Sequence, residues 1–247
     1  MTGQMPALTP PPTATIQVGD HITRQLWGLT FNVDTMWATV IAGAIVVVLG
    51  LLTARSASHE VPGKLQVIFE TIVTQVEDQV GLDLRERAPF VVPLAVTIFV
   101  FILSCNWLSI IPSGHHPEFL PPPTADVNLT YALGLSVGVW SIVTGIRVRG
   151  MRHYLAHLKE PYAFLAPINV LEEIIKPFTL ALRLFGNIFA GTVMLLIFTL
   201  LPAYVVWLPN TVWKLFDLFI GLIQAFIFAL LTILYFGTAI GPKEEAH

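Results

Sequence analysis

Residues 218–238 read LFIGLIQAFIFALLTILYFGT, with no charged side chain among them. At about 1.5 Å of rise per residue, a helix of that length is roughly 31 Å long, which matches the hydrocarbon core of a bilayer. One amide, Gln224, lies inside the run, where an unbonded polar group is costly. The same economy of charge recurs upstream. No Asp, Glu, Lys or Arg occurs between Asp34 and Arg55, Arg87 and Glu118, Asp126 and Arg147, or Arg183 and Lys214. Of the 247 residues, 55% are hydrophobic and 12% charged, about half the charge of an ordinary soluble domain.

These runs predict an all-α polytopic membrane protein with five transmembrane helices, at about residues 35–54, 89–111, 127–146, 163–201 and 209–241. Residues 61–82 differ. Leu65, Ile68, Phe69, Ile72, Val76 and Val80 repeat at helical spacing between Lys64, Glu70, Thr74, Glu77 and Asp78, the pattern of one amphipathic surface helix. The last two spans exceed a perpendicular crossing, so a long tilted C-terminal helical hairpin is expected, with Pro202 and Pro209 bracketing its turn. Residues 1–34 are expected to form a flexible external arm, and 35–247 a single membrane domain. Cys105 is the only cysteine, which rules out an intrachain disulfide.

Basic residues give the orientation. Arg55, Lys64, Arg85 and Arg87 follow the first span and Arg147, Arg149, Arg152 and Lys159 the third, whereas residues 112–126 contain no Lys or Arg. The positive-inside rule then places the N-terminus outside and the C-terminus in the cytoplasm of a multi-pass cell (plasma) membrane protein.

Chemistry concentrates in the final hairpin. Steps of three and four from Glu172 reach Lys176, Thr179, Arg183, Gly186, Asn187 and Ala190, a polar and small-residue stripe. A charge at the centre of a membrane helix costs about 2.5–3.5 kcal/mol on insertion scales. A lysine can shed its proton there and a guanidinium cannot, so Arg183 is read as the central functional residue. The glycines and Ala190 alone are explained by close helix packing. The final helix carries a second stripe of Lys214, Asp217, Gly221 and Gln224. A hairpin would bring Gln224 and Asn187 near Arg183 and leave Asp217 towards the external end.

LALRLFGNIFAG at 180–191, followed by QAFIF at 224–228, resembles the two signature segments of the F-type ATP synthase subunit a family. Asn106, the ADVN of 125–128, the Lys176-Pro177 pair, and the overall length and topology add to it. The resemblance implies a proton-translocating stator that is not catalytic alone. Two aqueous half-channels would reach the carboxyl groups of a c-subunit ring, and the family's essential arginine would map onto Arg183, with Asn187 and Gln224 beside it. Other implied partners are a peripheral-stalk b-type subunit, other ATP synthase subunits, the lipid bilayer and protons; nucleic acid, cofactor and metal are not expected.

The sequence departs from the common bacterial pattern, with Thr192 where many relatives have Glu and Asp217 where they have His. An entry path would therefore use Asp217 with another polar set, for which His115, His116, Glu118, Asp126, Asn128 and bound water are candidates. Glu172 and Glu173 either line an exit path or pair with Lys176 at helical spacing. A self-contained proton-coupled secondary transporter is the alternative, but no internal repeat of the kind such folds use is evident. An intramembrane enzyme would need a motif such as HExxH, which is absent, or a GxSxG nucleophile elbow; the GLSVG of 134–138 has those letters but lies inside an expected span, not on the strand-to-helix turn an elbow requires.

Overall fold

The computed structural model describes residues 23–26, 29–56, 63–108, 123–152, 154, 164, 166–198 and 200–241. Two short strands come first, β1 (Thr23–Leu26) and β2 (Leu29–Asn32), paired antiparallel with Thr23 opposite Asn32. Residues 23–26 and 29–32, within the stretch read as a flexible arm, thus pair as a hairpin. Helix α1 (Val33–Ser56) follows directly, with Asp34 in its first turn and Arg55 in its last, the signs that suit the two ends of a helix dipole.

The amphipathic segment forms one helix, as expected, and a short second helix follows it. Helix α2 (Lys64–Gln79) ends at Val80, and α3 (Leu82–Arg87) starts after Gly81, both linking residues being extended. Arg85 folds back across the break: its Nη2 donates to the Glu77 carbonyl at 2.8 Å, and its Nη1 lies 3.8 Å from the Glu77 carboxylate. The guanidinium thereby gives a second donor to a helix-end carbonyl that already accepts from the Val80 N–H at 3.0 Å. Val76 and Val80 are buried, whereas Ile68, expected on the same apolar face, is exposed.

Helices α4 (Val91–Leu108), α5 (Val127–Arg149), α6 (Ala166–Phe198) and α7 (Ala203–Ile240) complete the chain, with a 3-10 turn at Pro123–Ala125 before α5. Among the described residues, five helices are long and apolar enough to cross a membrane: Val33–Arg55, Val91–Leu108, Val127–Arg149, Ile174–Phe198 and Tyr204–Ile240. Their number and order are those expected from the charge-free runs. The start of the last differs: α7 begins at Ala203, so Pro209 lies inside the helix and does not bracket the turn. A proline this close to a helix start forfeits a single ladder hydrogen bond, a loss that a long membrane helix absorbs. The third span runs on to Arg149, because Arg147 and Arg149 in its last turn suit the helix dipole.

Helix α4 is the most enclosed and packs most extensively on α7. The core joins Val91, Phe99 and Ile102 of α4 to Leu180 and Leu184 of α6 and to Phe228, Phe236 and Ile240 of α7. Phe90 stacks on Trp140 and meets Phe236 edge-on, each with ring centroids 5.6 Å apart. Helix α5 bridges α6 and α7 through close backbone approach. A methyl group on Gly134 would stand 2.6 Å from the Pro177 carbonyl oxygen, and one on Gly138 3.0 Å from the Pro177 Cβ. Two glycines four residues apart thus form the groove that seats the Pro177 turn of α6, as small residues do between membrane helices.

Candidate functional site

Two contacts set the register of the α6–α7 hairpin. At one end, the Asp217 carboxylate lies against Gly191, its Oδ1 3.3 Å from where a Cβ would stand. At the other, the Tyr235 hydroxyl donates to the Lys176 carbonyl at 3.0 Å. Arg183 and Asn187 on α6, and Gln224 on α7, fall between these contacts. The three side chains therefore occupy one stretch of the hairpin, well inside the spans Ile174–Phe198 and Tyr204–Ile240.

Within that stretch the faces of α6 divide sharply. Leu180, Ala181 and Leu184 are buried against the bundle. Thr179, Arg183, Gly186 and Ala190 are exposed, and a Cβ on Gly186 would meet nothing within 4 Å. These four members of the stripe thus point away from the chain's own core, as do the exposed side chains of Phe178, Leu182 and Phe189. Arg183 lies roughly 14 Å along the axis from Ile174, and among the described residues no carboxylate pairs with it. A permanent cation on the outside of a spanning helix, beside residues small enough to admit another helix, demands a partner or water from outside this chain.

Asn187 and Gln224 do not share that outward face. Asn187 is half-buried and Gln224 is buried, and among the described residues neither Asn187 Nδ2 nor Gln224 Nε2 has a hydrogen-bond partner. Two unsatisfied amide donors behind a single arginine are costly unless water reaches them. The sequence reading joined Arg183, Asn187 and Gln224 as one group. Along the hairpin they are together, but around the helices Arg183 faces outward while the amides face inward.

A second polar group sits where α4, α5 and the 3-10 turn meet. Asn106 Nδ2 donates to the Gly221 carbonyl at 3.0 Å, and Thr124 Oγ1 donates to Asn106 Oδ1 at 3.0 Å. All three residues are buried. Asp126 caps α5 as expected, its Oδ1 accepting from the Asn128 backbone N–H at 2.8 Å. Its Oδ2 accepts from Asn32 Nδ2 at 2.7 Å, which ties the N-terminal hairpin to the start of α5. Asn106 and Asp126 are therefore engaged by protein at both polar atoms, unlike Asn187 and Gln224. The Asn128 side chain is exposed, and Lys176 is half-buried.

The remaining candidates are less fully placed. Glu172, Glu173 and Thr192 belong to α6, but their side chains lie outside what the structure describes, and His115, His116 and Glu118 lie outside the described residues. Sequence reasoning missed Thr124, Asn32, Gly191 and Tyr235 as supports of this site. Gly191, eight positions past Arg183 and hence on a neighbouring face, was the most legible of them. The partnership of Asn32 with Asp126, 94 positions apart, left no local trace.

Comparison with known proteins gives the family. The sequence model of the family described as "ATP synthase A chain" matches residues 36–237. The chain is 53% identical over 232 residues to the ATP synthase subunit a of Acidothermus cellulolyticus, covering 92% of this chain and 84% of that one. It is 50% identical over 243 residues to the subunit a of Mycobacterium bovis, covering 95% and 97%, and 37% identical over 240 residues to that of Stutzerimonas stutzeri, covering 91% and 82%. With the matched model spanning the hairpin, the outward arginine and both buried amides, the chain belongs to the ATP synthase A chain family.

Proposed function

We propose that this membrane protein is the proton-translocating stator of a rotary ATP synthase, with Arg183 facing the carboxyl groups of a c-subunit ring. The observation that carries this reading is the exposed stripe of Thr179, Arg183, Gly186 and Ala190 on a spanning helix. Its shape admits a neighbouring helix, and its charge attracts an ionised carboxylate. A ring carboxyl facing lipid is favoured neutral, because burial disfavours the charged form, and one beside a fixed guanidinium is favoured ionised. Rotation alternates these environments. Each proton boards from one half-channel, rides the ring and leaves by the other, while Arg183 blocks direct passage between them. One charge crossing 100 mV releases about 2.3 kcal/mol, so several protons serve each ATP.

The half-channels are assigned by which polar atoms need water. Asn187 and Gln224, with unpaired buried donors, line the aqueous route towards Arg183, with Asp217 on the entry side next to Gly191. Asn106, Asp126 and Asn128 form the wall of the entry region, whose mouth includes His115, His116 and Glu118. Glu172, Glu173 and Lys176 lie on the exit side, and Thr192 takes the place of an acidic helper. In this reading the N-terminus is outside, the C-terminus cytoplasmic, and a peripheral-stalk b-type subunit and other ATP synthase subunits hold the chain against the ring. The test is Arg183→Lys in the assembled complex. Assembly is expected to persist while proton-coupled ATP synthesis and ATP-driven pumping are lost. Near-normal synthesis would overturn the assignment.

A further inference from the structure

At the end of the bundle opposite Asp126, two arginines from different helices converge on the last carbonyls of α7. Arg149 Nε, in the final turn of α5, donates to the Ile240 carbonyl. Arg87 Nη1, at the end of α3, donates to the Gly241 carbonyl at 3.4 Å. Gly241 has φ +65° and ψ 173°, a positive-φ conformation that only glycine adopts freely. A side chain there would also run into the Arg149 guanidinium. The backbone conformation and the space around it therefore both fit the clamp. Two cations at the negative end of the α7 dipole, each bonding a carbonyl the helix cannot satisfy itself, hold that end more firmly than a solvated terminus.

Helix α7 has reason to be held. It carries Asp217 and Gln224, and its spanning segment Tyr204–Ile240 covers 37 residues, the longest of the five. At its midpoint Asn106 grips Gly221, and between there and the clamp Tyr235 bonds α6. We infer that Arg149, with Arg87, is a positioning residue: the pair clamps the terminus of α7 so that Gln224 and Asp217 keep their register against α6 while a rotating partner drags on the hairpin. The functional half of this inference rests on the proposed stator role; the clamp itself does not.

The experiment reads the two halves separately, in the assembled membrane sector. Ile240 is 1% exposed, so Ile240→Cys places a shielded thiol at the clamp, and the single native cysteine, Cys105, is also buried. Labelling by a water-soluble maleimide is expected to quicken about tenfold when Arg149→Gln is added, the loss of a charge-assisted hydrogen bond at a helix end. Arg149→Lys, which keeps the cation but not the planar donor, is expected to recover most of the protection. Where Arg149→Gln leaves assembly intact, ATP-driven proton pumping is expected to fall about tenfold and to return within about threefold in Arg149→Lys. Unchanged labelling in Arg149→Gln would overturn the clamp. Faster labelling with undiminished pumping would overturn its positioning role. If Arg149→Gln prevents assembly, Arg87→Gln, which removes the second donor of the clamp, is read in its place: labelling and pumping both equal to the parent's would overturn the proposal. Failure of the stator reading itself would appear in the Arg183→Lys complex and would leave the labelling result standing.

Discussion

Asn106→Leu removes a nearly isosteric amide from the most enclosed helix of the bundle and isolates what one buried polar junction contributes. The amide joins three elements: its Nδ2 bonds the Gly221 carbonyl and its Oδ1 accepts from Thr124 Oγ1, each at 3.0 Å. Hydrogen bonds between membrane helices contribute about 0.6 kcal/mol on average and about 1.7 at most. Two of them give roughly 1–3 kcal/mol. The Gly221 carbonyl keeps its helical partner, but Thr124, which is fully buried, loses an acceptor, so the effect belongs in the upper half of that range. The assay is a double-mutant cycle with Thr124→Val, read as reversible unfolding in lipid-detergent mixtures. Asn106→Leu is expected to cost about 2 kcal/mol alone, and Thr124→Val to cost at least about 0.5 kcal/mol less in its presence than in the parent. Strict additivity would refute the reasoning, because it would mean that the two groups do not share the bond.

Three further outcomes follow from the same geometry. Gly134→Ala places a methyl 2.6 Å from the Pro177 carbonyl oxygen and is expected to destabilise by about 1–3 kcal/mol; Ser136→Ala, on an exposed face of the same helix, should be neutral in the same unfolding assay. Asp126→Ala removes both the α5 cap and the Asn32 tie and is expected to cost about 1–2 kcal/mol. Asp126→Asn should recover part of it, and protease sensitivity near residues 29–32 reads the tie. Asp217→Ala is expected to slow passive proton flux through the membrane sector more than Glu172→Ala does, and equal negligible effects would remove both from the path.

The fold was largely legible because bilayer physics leaves a coarse signal. Charge-free runs near Val91, Val127 and Leu218 located spans that the helices reproduce. Local chemistry was legible where it acts locally, as with Asp126 capping α5 two positions before the N–H it accepts. Helix ends were harder. Pro209 read as a helix breaker and is an interior residue, since the ladder of a long α7 tolerates one missing bond. The Gly81 break became visible only with the fold, as Arg85 reaching back to Glu77. For the site, periodicity identified Arg183 and its stripe, but not that Asn187 turns inward from it. That division depends on where α4, α5 and α7 pack, and Asn32, Thr124 and Tyr235 are joined to the site across tens of residues by tertiary contacts alone.

The most direct test of the account is the distance between the Arg183 guanidinium and the nearest c-ring carboxyl in a structure of the assembled membrane sector. The exposed stripe on α6 predicts Arg183 facing the ring, within the roughly 4–6 Å over which a cation stabilises an ionised carboxylate, with water ordered behind it at Asn187 and Gln224. An Arg183 turned towards lipid or towards its own bundle, with the ring seated on another face, would contradict it.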